Sequence, residues 1–211
     1  MKYFSLIVVL FLISCGNKED ILLPKSGTTV ISDVQDHSPI YIFFRIKEKD
    51  TLAEVNRKNS IITTNWILNI DKRLPLKLVI PEVMQLQDKK RKDKAHQNEK
   101  AENYYSYADS IGKNMAFIPF TKVNYTIGKP KSDDFVIFFK KANDLVWLNG
   151  RAVKKADLLQ EIFSLQFIIR PRIVIQFDKN MSYGEYIQNK ILIRKFDLYS
   201  VNPIAPVEFI Y

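Results

Sequence analysis

The sequence predicts an α+β fold of two tandem small domains, each a mixed sheet with helices on one face, after a lipoprotein signal peptide. Three observations support this prediction. Hydrophobic residues make up 46% and charged residues 26% of the 211 residues, which is a globular composition. Apolar, β-branched runs alternate with amphipathic stretches along the chain. The order of these elements recurs in the second half.

The composition also limits the chemistry. A single cysteine excludes an internal disulfide. Six glycines and two histidines leave little room for a glycine-rich nucleotide loop or a histidine metal site. The net charge of +9 permits anionic partners but does not require them.

The N-terminal segment has the pattern of a bacterial lipoprotein signal. Lys2 precedes the apolar run Leu6–Ile13, which is far shorter than the roughly 20 residues that cross a bilayer as a helix. The following quartet, Leu12-Ile13-Ser14-Cys15, resembles the lipobox, whose cysteine receives a diacylglyceryl thioether after the preceding peptide is removed. We therefore expect residues 1–14 to be a signal peptide and Cys15 to be the lipidation site; an ordinary signal peptide that happens to end in a cysteine is the alternative.

This anchor predicts a cell-envelope protein held on a membrane by lipid. Gly16 is not the aspartate that favours retention in the inner membrane, so we expect the outer membrane, at its periplasmic or surface face. The triplet Lys18-Glu19-Asp20 is similar to the export signal of surface lipoproteins in Bacteroidetes-type bacteria, although a solvated tether also fits it.

The first predicted domain spans residues 39–120 and follows a lipidated tether, residues 15–38, with one short strand at Thr29–Ile31. Residues 88–102 are almost wholly polar and contain no aromatic side chain to stack on bases, so we expect a solvated insertion and no nucleic-acid partner. Periodicity predicts strands and helices as follows: strands at Pro39–Phe44, Leu52–Val55, Leu76–Ile80 and Ala116–Phe120, and helices at Asn59–Ile70 and Tyr104–Asn114.

The second predicted domain spans residues 133–211 and follows a linker at residues 121–132. Asn149-Gly150 is a turn dipeptide that suits positive φ angles. The predicted elements are strands at Phe135–Lys140, Leu145–Leu148, Ile173–Phe177 and Val207–Tyr211, and helices at Lys154–Leu165 and Ser182–Phe196.

The two halves can be aligned with each other at a spacing of about 95 residues. This alignment predicts an internal duplication, although matching periodicity in two unrelated units could mimic it. It places Ile42-Phe43-Phe44 on Ile137-Phe138-Phe139, Leu52–Val55 on Leu145–Leu148, Ile67-Leu68 on Ile162-Phe163, Pro75–Val79 on Pro171–Ile175, and Tyr104–Asp109 on Tyr183–Gln188.

An ordered series of short features in the second half carries a family resemblance. They are the strand Phe135–Phe139, the strand and turn Leu145–Gly150, the helix leucines Leu158 and Leu159, the strand Ile173–Phe177 with Asp178-Lys179 after it, and Tyr183-Gly184 at the next helix. Residues 133–211 thereby resemble the periplasmic domain of the ExbD/TolR biopolymer transport family, and residues 39–120 resemble it more weakly. The resemblance implies an α+β domain that serves energised outer-membrane transport. Leu6–Ile13 contains no carboxylate, so it does not carry over the family's proton-handling aspartate.

Residues that could support catalysis or metal binding are sparse. His37 and His96 stand in no recognisable motif, and a zinc site normally needs three or four close ligands. The adjacent Asp133 and Asp134 would point to opposite faces of a strand. The aromatic residues Tyr41, Trp66, Trp147 and Tyr183 could shape a glycan surface, but core packing is the favoured interpretation. We therefore expect no catalytic, metal-binding or cofactor-binding residues.

These observations predict a non-enzymatic binding or scaffold module whose partner is an envelope protein or a second copy of the chain. The alternative is a lipoprotein that captures a peptide or a glycan. Exposed sheet edges would favour the first hypothesis, because edges recruit extended partners. A deep pocket with converging polar groups would favour the second, or a third hypothesis, an enzyme that acts on an exported polymer.

Overall fold

A computed structural model describes residues 20–58, 60–93, 98–165, 171–197 and 203–211. The described strands form two six-stranded mixed sheets, and the described residues contain three α-helices. The predicted α+β fold class is therefore confirmed. The predicted signal peptide (residues 1–14), Cys15 and His96 lie outside the described residues.

The first sheet is built around parallel strands closed by antiparallel hairpins. Its central strands β2, β4 and β5 run parallel, β3 pairs with β2, and β6 pairs with β5. The short β1 pairs with the end of β5. The bounds are β1 Lys25–Ser26, β2 His37–Lys47, β3 Asp50–Asn56, β4 Asn65–Ile70, β5 Asn103–Asp109 and β6 Asn114–Pro119, with helix α1 at Leu76–Lys92 between β4 and β5.

Helix α1 forms because its apolar residues recur every three or four positions and give one buried face. That face consists of Leu76, Val79, Ile80, Val83 and Leu86, and it packs in one cluster with the inner residues of β2 and β4. Four basic residues in the last turn suit the negative end of the helix dipole.

The second sheet has the order β10-β9-β8-β11-β12-β7. Strands β8, β11, β12 and β7 run parallel, and β9 and β10 are antiparallel additions. The bounds are β7 Asn124–Ile127, β8 Phe135–Phe139, β9 Leu145–Leu148, β10 Arg151–Lys154, β11 Ile173–Phe177 and β12 Val207–Ile210, with α2 at Leu158–Ser164 and α3 at Tyr183–Asp197.

The two sheets share one strand order, but the correspondence differs from the sequence alignment. The hairpin β2–β3 matches β8–β9, as aligned; β4 then matches β11, α1 matches α3, and β5 matches β12. Three of the aligned pairs are wrong, since each places a strand on a helix: Ile67-Leu68 on Ile162-Phe163, Pro75–Val79 on Pro171–Ile175, and Tyr104–Asp109 on Tyr183–Gln188. The second half carries β10 and α2 as an addition, which shifts every later equivalence.

Three predicted elements of the first half are wrong. Residues predicted as the helix Asn59–Ile70 contain β4, because a strand that is buried on both faces shows no alternating pattern. Leu76–Ile80 begins α1, and Pro81, which suggested a strand end, lies within the helix. Tyr104–Asn114 contains β5, a mostly buried strand whose tyrosines favour strand conformation.

The segments predicted as linker and tether contribute to the sheets. Strand β7 lies within residues 121–132 and pairs with β12. The predicted strand at Thr29–Ile31 is reduced to one isolated bridge between Ile31 and Phe117. Buried side chains of both halves belong to one cluster. That residues 39–120 and 133–211 are separate domains stays a prediction.

The two halves meet where α1 and α3 begin. Pro75 and Ser182 form an antiparallel bridge there. Equivalent positions exchange equivalent backbone hydrogen bonds, so an approximate two-fold axis passes between the helix starts. The four bonds run from Leu76 N to Met181 O (2.9 Å), Tyr183 N to Leu74 O (2.7 Å), Lys77 N to Lys179 O (2.8 Å) and Gly184 N to Lys72 O (3.0 Å).

Candidate functional site

Strand β3 forms an open edge of the first sheet. It is seven residues long, and among the described residues only β2 pairs with it. The other edges are less available: β10 and β7 have four residues each, β10 carries Arg151 and Lys154, and β6 is bridged by Ile31. Short and charged edges resist further pairing. The β3 edge is therefore the described edge best suited to an extended partner.

The geometry of the hairpin determines which backbone groups face outward from β3. The two-residue loop Glu48-Lys49, with Glu48 at φ 57°, makes Lys47 and Asp50 a hydrogen-bonded pair. Bonded and non-bonded pairs alternate along an antiparallel ladder. The N–H of Glu54 therefore bonds to β2, whereas the N–H of Ala53 points to the open edge.

A groove of about 570 Å³ wraps around this edge. Leu52, an apolar side chain that lines the groove, is 42% exposed, and Ile46 of the same hairpin is 69% exposed. Its lining comes from the hairpin and from α1: Arg45, Lys47, Leu52, Ala53, Glu54, Leu78 and Glu82. A strand added to β3 would place alternate side chains in this groove.

Ion pairs at the groove fix its charge pattern. Arg45 Nε donates to Glu54 Oε2 at 2.8 Å, and its guanidinium lies 5.0 Å from the ring centroid of Phe43. Arg57 Nη2 donates to Glu82 Oε2 at 2.7 Å, which joins the end of β3 to α1. Exposed pairs such as these add little to stability. Because of these two pairs, the groove carries both positive and negative side chains.

A second concavity of about 180 Å³ lies where the two halves meet. Its walls expose polar and apolar surface in similar amounts, and the basic residues Lys122, Lys190 and Arg194 line it. The buried Glu208 lies within it and pairs with Lys190, and it accepts a 2.7 Å hydrogen bond from the Tyr186 hydroxyl. The carboxylate is thus already neutralised by its own neighbours.

A chain of buried tyrosines leads from this carboxylate into the core. The hydroxyls of Tyr105 and Tyr125 are 2.7 Å apart, and those of Tyr125 and Tyr186 are 3.2 Å apart. Burial, reinforced by the Glu208 charge, raises the pKa of all three phenols well above 10. These groups stay protonated near neutrality and act as hydrogen-bond donors, so none of the three can serve there as a general base.

The residues considered for catalysis are not brought together. His37 is exposed, and its Nδ1 lies 2.7 Å from the Val34 carbonyl oxygen. Asp133 is exposed, whereas Asp134 is buried, lies 3.5 Å from Arg172 Nη1 and accepts a bond from the Lys131 N–H. Within the described ranges, no group of three or more His, Cys, Asp and Glu side chains could hold a metal ion.

The four aromatic residues considered for a glycan surface have different environments. Trp66 and Tyr183 are buried in the core. Tyr41 and Trp147 are half-buried. The Lys140 ammonium lies 3.8 Å from the ring centroid of Trp147 and so occupies the position that a sugar would need for stacking on that face.

Glu208 and Lys90 are two of the buried charged residues that were not anticipated from the sequence. Glu208 lies in the apolar strand β12, and a single charged residue in such a run could have indicated a buried, paired charge. Lys90 lies in the polar run that suggested only solvent exposure. Its ammonium donates to Thr64 O at 2.9 Å and to Asn103 Oδ1 at 3.0 Å, and burial lowers its pKa to about 8.

Comparison of the chain with protein-family models, curated proteins and solved structures gives no match. Fold alone does not determine function, so the function has to be argued from the site. None of the helices in the described residues has the length and apolar character needed to cross a membrane. Lipidation of Cys15 stays a prediction.

Proposed function

We propose that this chain is a lipid-anchored protein of the cell envelope that binds a protein partner by adding a strand of that partner to β3. Cys15 carries the anchor. The observation that supports this proposal is the seven-residue open edge of β3 together with the groove beside it. In this proposal the protein is a binding or scaffold module and not an enzyme.

Strand addition needs only unpaired backbone donors and acceptors with flanking pockets. β3 offers outward backbone groups at every second residue, namely Thr51, Ala53 and Val55. No side chain has to titrate near neutral pH for such binding. This agrees with a chain whose buried phenols stay protonated and whose buried carboxylate is paired.

The resemblance of residues 133–211 to the ExbD/TolR periplasmic domain supports a place beside energised outer-membrane transport. Two partners fit the edge by chemistry: an extended segment of an envelope protein, and β3 of a second copy. We favour the envelope protein because charge pairs on the groove, such as Arg57–Glu82, offer both signs to a segment of mixed charge.

Site-specific photo-crosslinking in intact cells tests the proposal. A photoreactive amino acid replaces Leu52 on the edge, and the control replaces Ile111, which is 77% exposed after β5. We expect a discrete protein adduct from position 52 and none from position 111. Mass spectrometry then identifies an envelope protein or a second copy. Equal adducts from both positions, or no adduct from position 52, would contradict the proposal.

A further inference from the structure

The parallel strands of the second sheet end side by side. The register places the last residues of β8, β11, β12 and β7 in one row across the sheet. The one or two residues after each of these ends bring basic and aromatic side chains to one edge of the molecule: Lys140 and Lys141 after β8, Lys179 after β11, Tyr211 after β12 and Lys129 after β7. Asp178 lies between β11 and Lys179, and its carboxylate accepts hydrogen bonds from the backbone N–H groups of Lys141 and Asn180.

Two groups of lysine and aromatic side chains form at this edge. The ammonium groups of Lys129 and Lys179 lie 4.6 and 5.5 Å from the ring centroid of Tyr211. Lys140 lies over Trp147. Among the described residues, these three lysines make no ion pair with a carboxylate. Their positive charge is therefore available to an external anion.

The first sheet adds further basic residues to the same edge. The Lys77 N–H donates to the Lys179 carbonyl at 2.8 Å, and the Gly184 N–H donates to the Lys72 carbonyl at 3.0 Å. The backbone of Lys77 therefore lies beside that of Lys179, and the backbone of Lys72 lies beside that of Gly184 at the start of α3. We call the group of Lys72, Lys77, Lys129, Lys140, Lys141 and Lys179 the basic end.

The N-terminal tether leaves the fold at the basic end. The Lys72 N–H donates to the Leu22 carbonyl at 2.7 Å, and the Leu22 N–H donates to Asp71 Oδ2 at 3.3 Å. Leu22 itself is 44% exposed. The chain from Cys15 to Leu22 can span at most about 25 Å when fully extended. An anchored Cys15 would therefore hold the basic end close to the bilayer.

We infer that the basic end docks on an anionic membrane surface. This inference rests on the proposed lipid anchor. Lysines close to an anionic leaflet are attracted within a Debye length, and Trp and Tyr rings suit the membrane interface. A lipid chain combined with a basic cluster is a two-signal membrane attachment. Docking would hold the protein in one orientation on the membrane while the anchor prevents its loss.

Vesicle sedimentation tests this inference separately from lipidation. The protein is the mature chain from position 15 with Cys15→Ala, so it carries no acyl group. The vesicles are phosphatidylcholine with or without phosphatidylglycerol. We expect binding only to the phosphatidylglycerol vesicles, weakened by salt. The triple variant Lys129→Glu, Lys140→Glu, Lys179→Glu should bind at least about tenfold more weakly.

A matched control changes the same charge at the opposite ends of the strands. Lys58→Glu, Lys89→Glu and Lys100→Glu together alter three exposed lysines away from the basic end, and this variant should bind like the parent protein without these substitutions. Equal losses in both triple variants, or no binding by wild type, would overturn the inference. Tighter binding to soluble dextran sulfate than to the anionic vesicles would also overturn it, because it would identify a polymer site. Fatty-acid labelling of wild type and Cys15→Ala tests the anchor independently.

Discussion

Tyr183 and Tyr186 lie three residues apart on α3 and are both fully buried, but their hydroxyl groups differ in hydrogen bonding. The Tyr186 hydroxyl donates to Glu208 Oε2 at 2.7 Å and lies 3.2 Å from the Tyr125 hydroxyl. The Tyr183 hydroxyl has no hydrogen-bond partner among the described residues. Replacing each tyrosine with phenylalanine removes the same atom from these two environments. We expect the two substitutions to change stability in opposite directions.

The expected magnitudes follow from the hydrogen bonds. An unsatisfied buried polar group costs about 1–3 kcal/mol, so Tyr183→Phe should raise the free energy of unfolding by about 1 kcal/mol. A hydrogen bond to a charged group contributes about 1.5–3 kcal/mol, so Tyr186→Phe should lower it by about 2 kcal/mol. Glu208 would then keep Lys190 as its partner but lose the phenol.

Urea unfolding at neutral pH measures both effects in one assay. The midpoint should rise for Tyr183→Phe and fall for Tyr186→Phe, with the same dependence on urea as in wild type. An unchanged slope shows that the compactness of the unfolded state has not changed. If Tyr183→Phe destabilises the protein as much as Tyr186→Phe, the buried hydroxyl of Tyr183 has a partner and the reasoning is refuted.

Three further predictions concern single residues. Burial alone would raise the pKa of Asp71, but hydrogen bonds from Arg73 and Leu22 outweigh it and hold this pKa below its ordinary value of 3.8. Asp71→Asn should therefore lower the free energy of unfolding by about 2 kcal/mol at neutral pH, more than Asp178→Asn. This deficit should shrink as the pH falls below about 4, because the unfolded state then takes up a proton that the native state binds only at lower pH. In NMR titration, the Lys90 side-chain resonance should have a midpoint near pH 8, and a midpoint above 10 would show that its ammonium is solvated. Metabolic labelling with a fatty-acid probe should mark wild type and leave Cys15→Ala unlabelled; equal labelling would exclude the anchor.

The local sequence pattern was sufficient to predict most strands and helices in the second half of the chain, but it was insufficient in the first half. Strand β11 was predicted with the bounds Ile173–Phe177 because its apolar run is short and flanked by turn residues. Strand β4 was missed because Asn65–Ile70 is buried on both faces, so tertiary contacts rather than periodicity determine its conformation. The start of α1 was missed because Pro81 suggested a strand end.

The candidate site depends on topology that a single sequence does not show. Leu52–Val55 was predicted as a strand, yet its position at an edge follows from the order of strands in the sheet. The basic end likewise arises because parallel strands bring Lys129, Lys140 and Lys179 together from distant positions. The lipid anchor, in contrast, was inferred from the sequence alone, because Cys15 lies outside the described residues.

A pair of proline substitutions in β3 tests the central claim, backbone pairing at this edge, most directly. Proline at position 53 removes the outward N–H, whereas proline at position 54 removes a hydrogen bond to β2. Each variant carries the photoreactive amino acid at position 52 and is cross-linked in intact cells. We predict that Ala53→Pro keeps a thermal transition close to that of wild type and loses the partner adduct, while the control Glu54→Pro lowers the transition temperature. A folded Ala53→Pro variant that retains the wild-type adduct would contradict strand addition at β3.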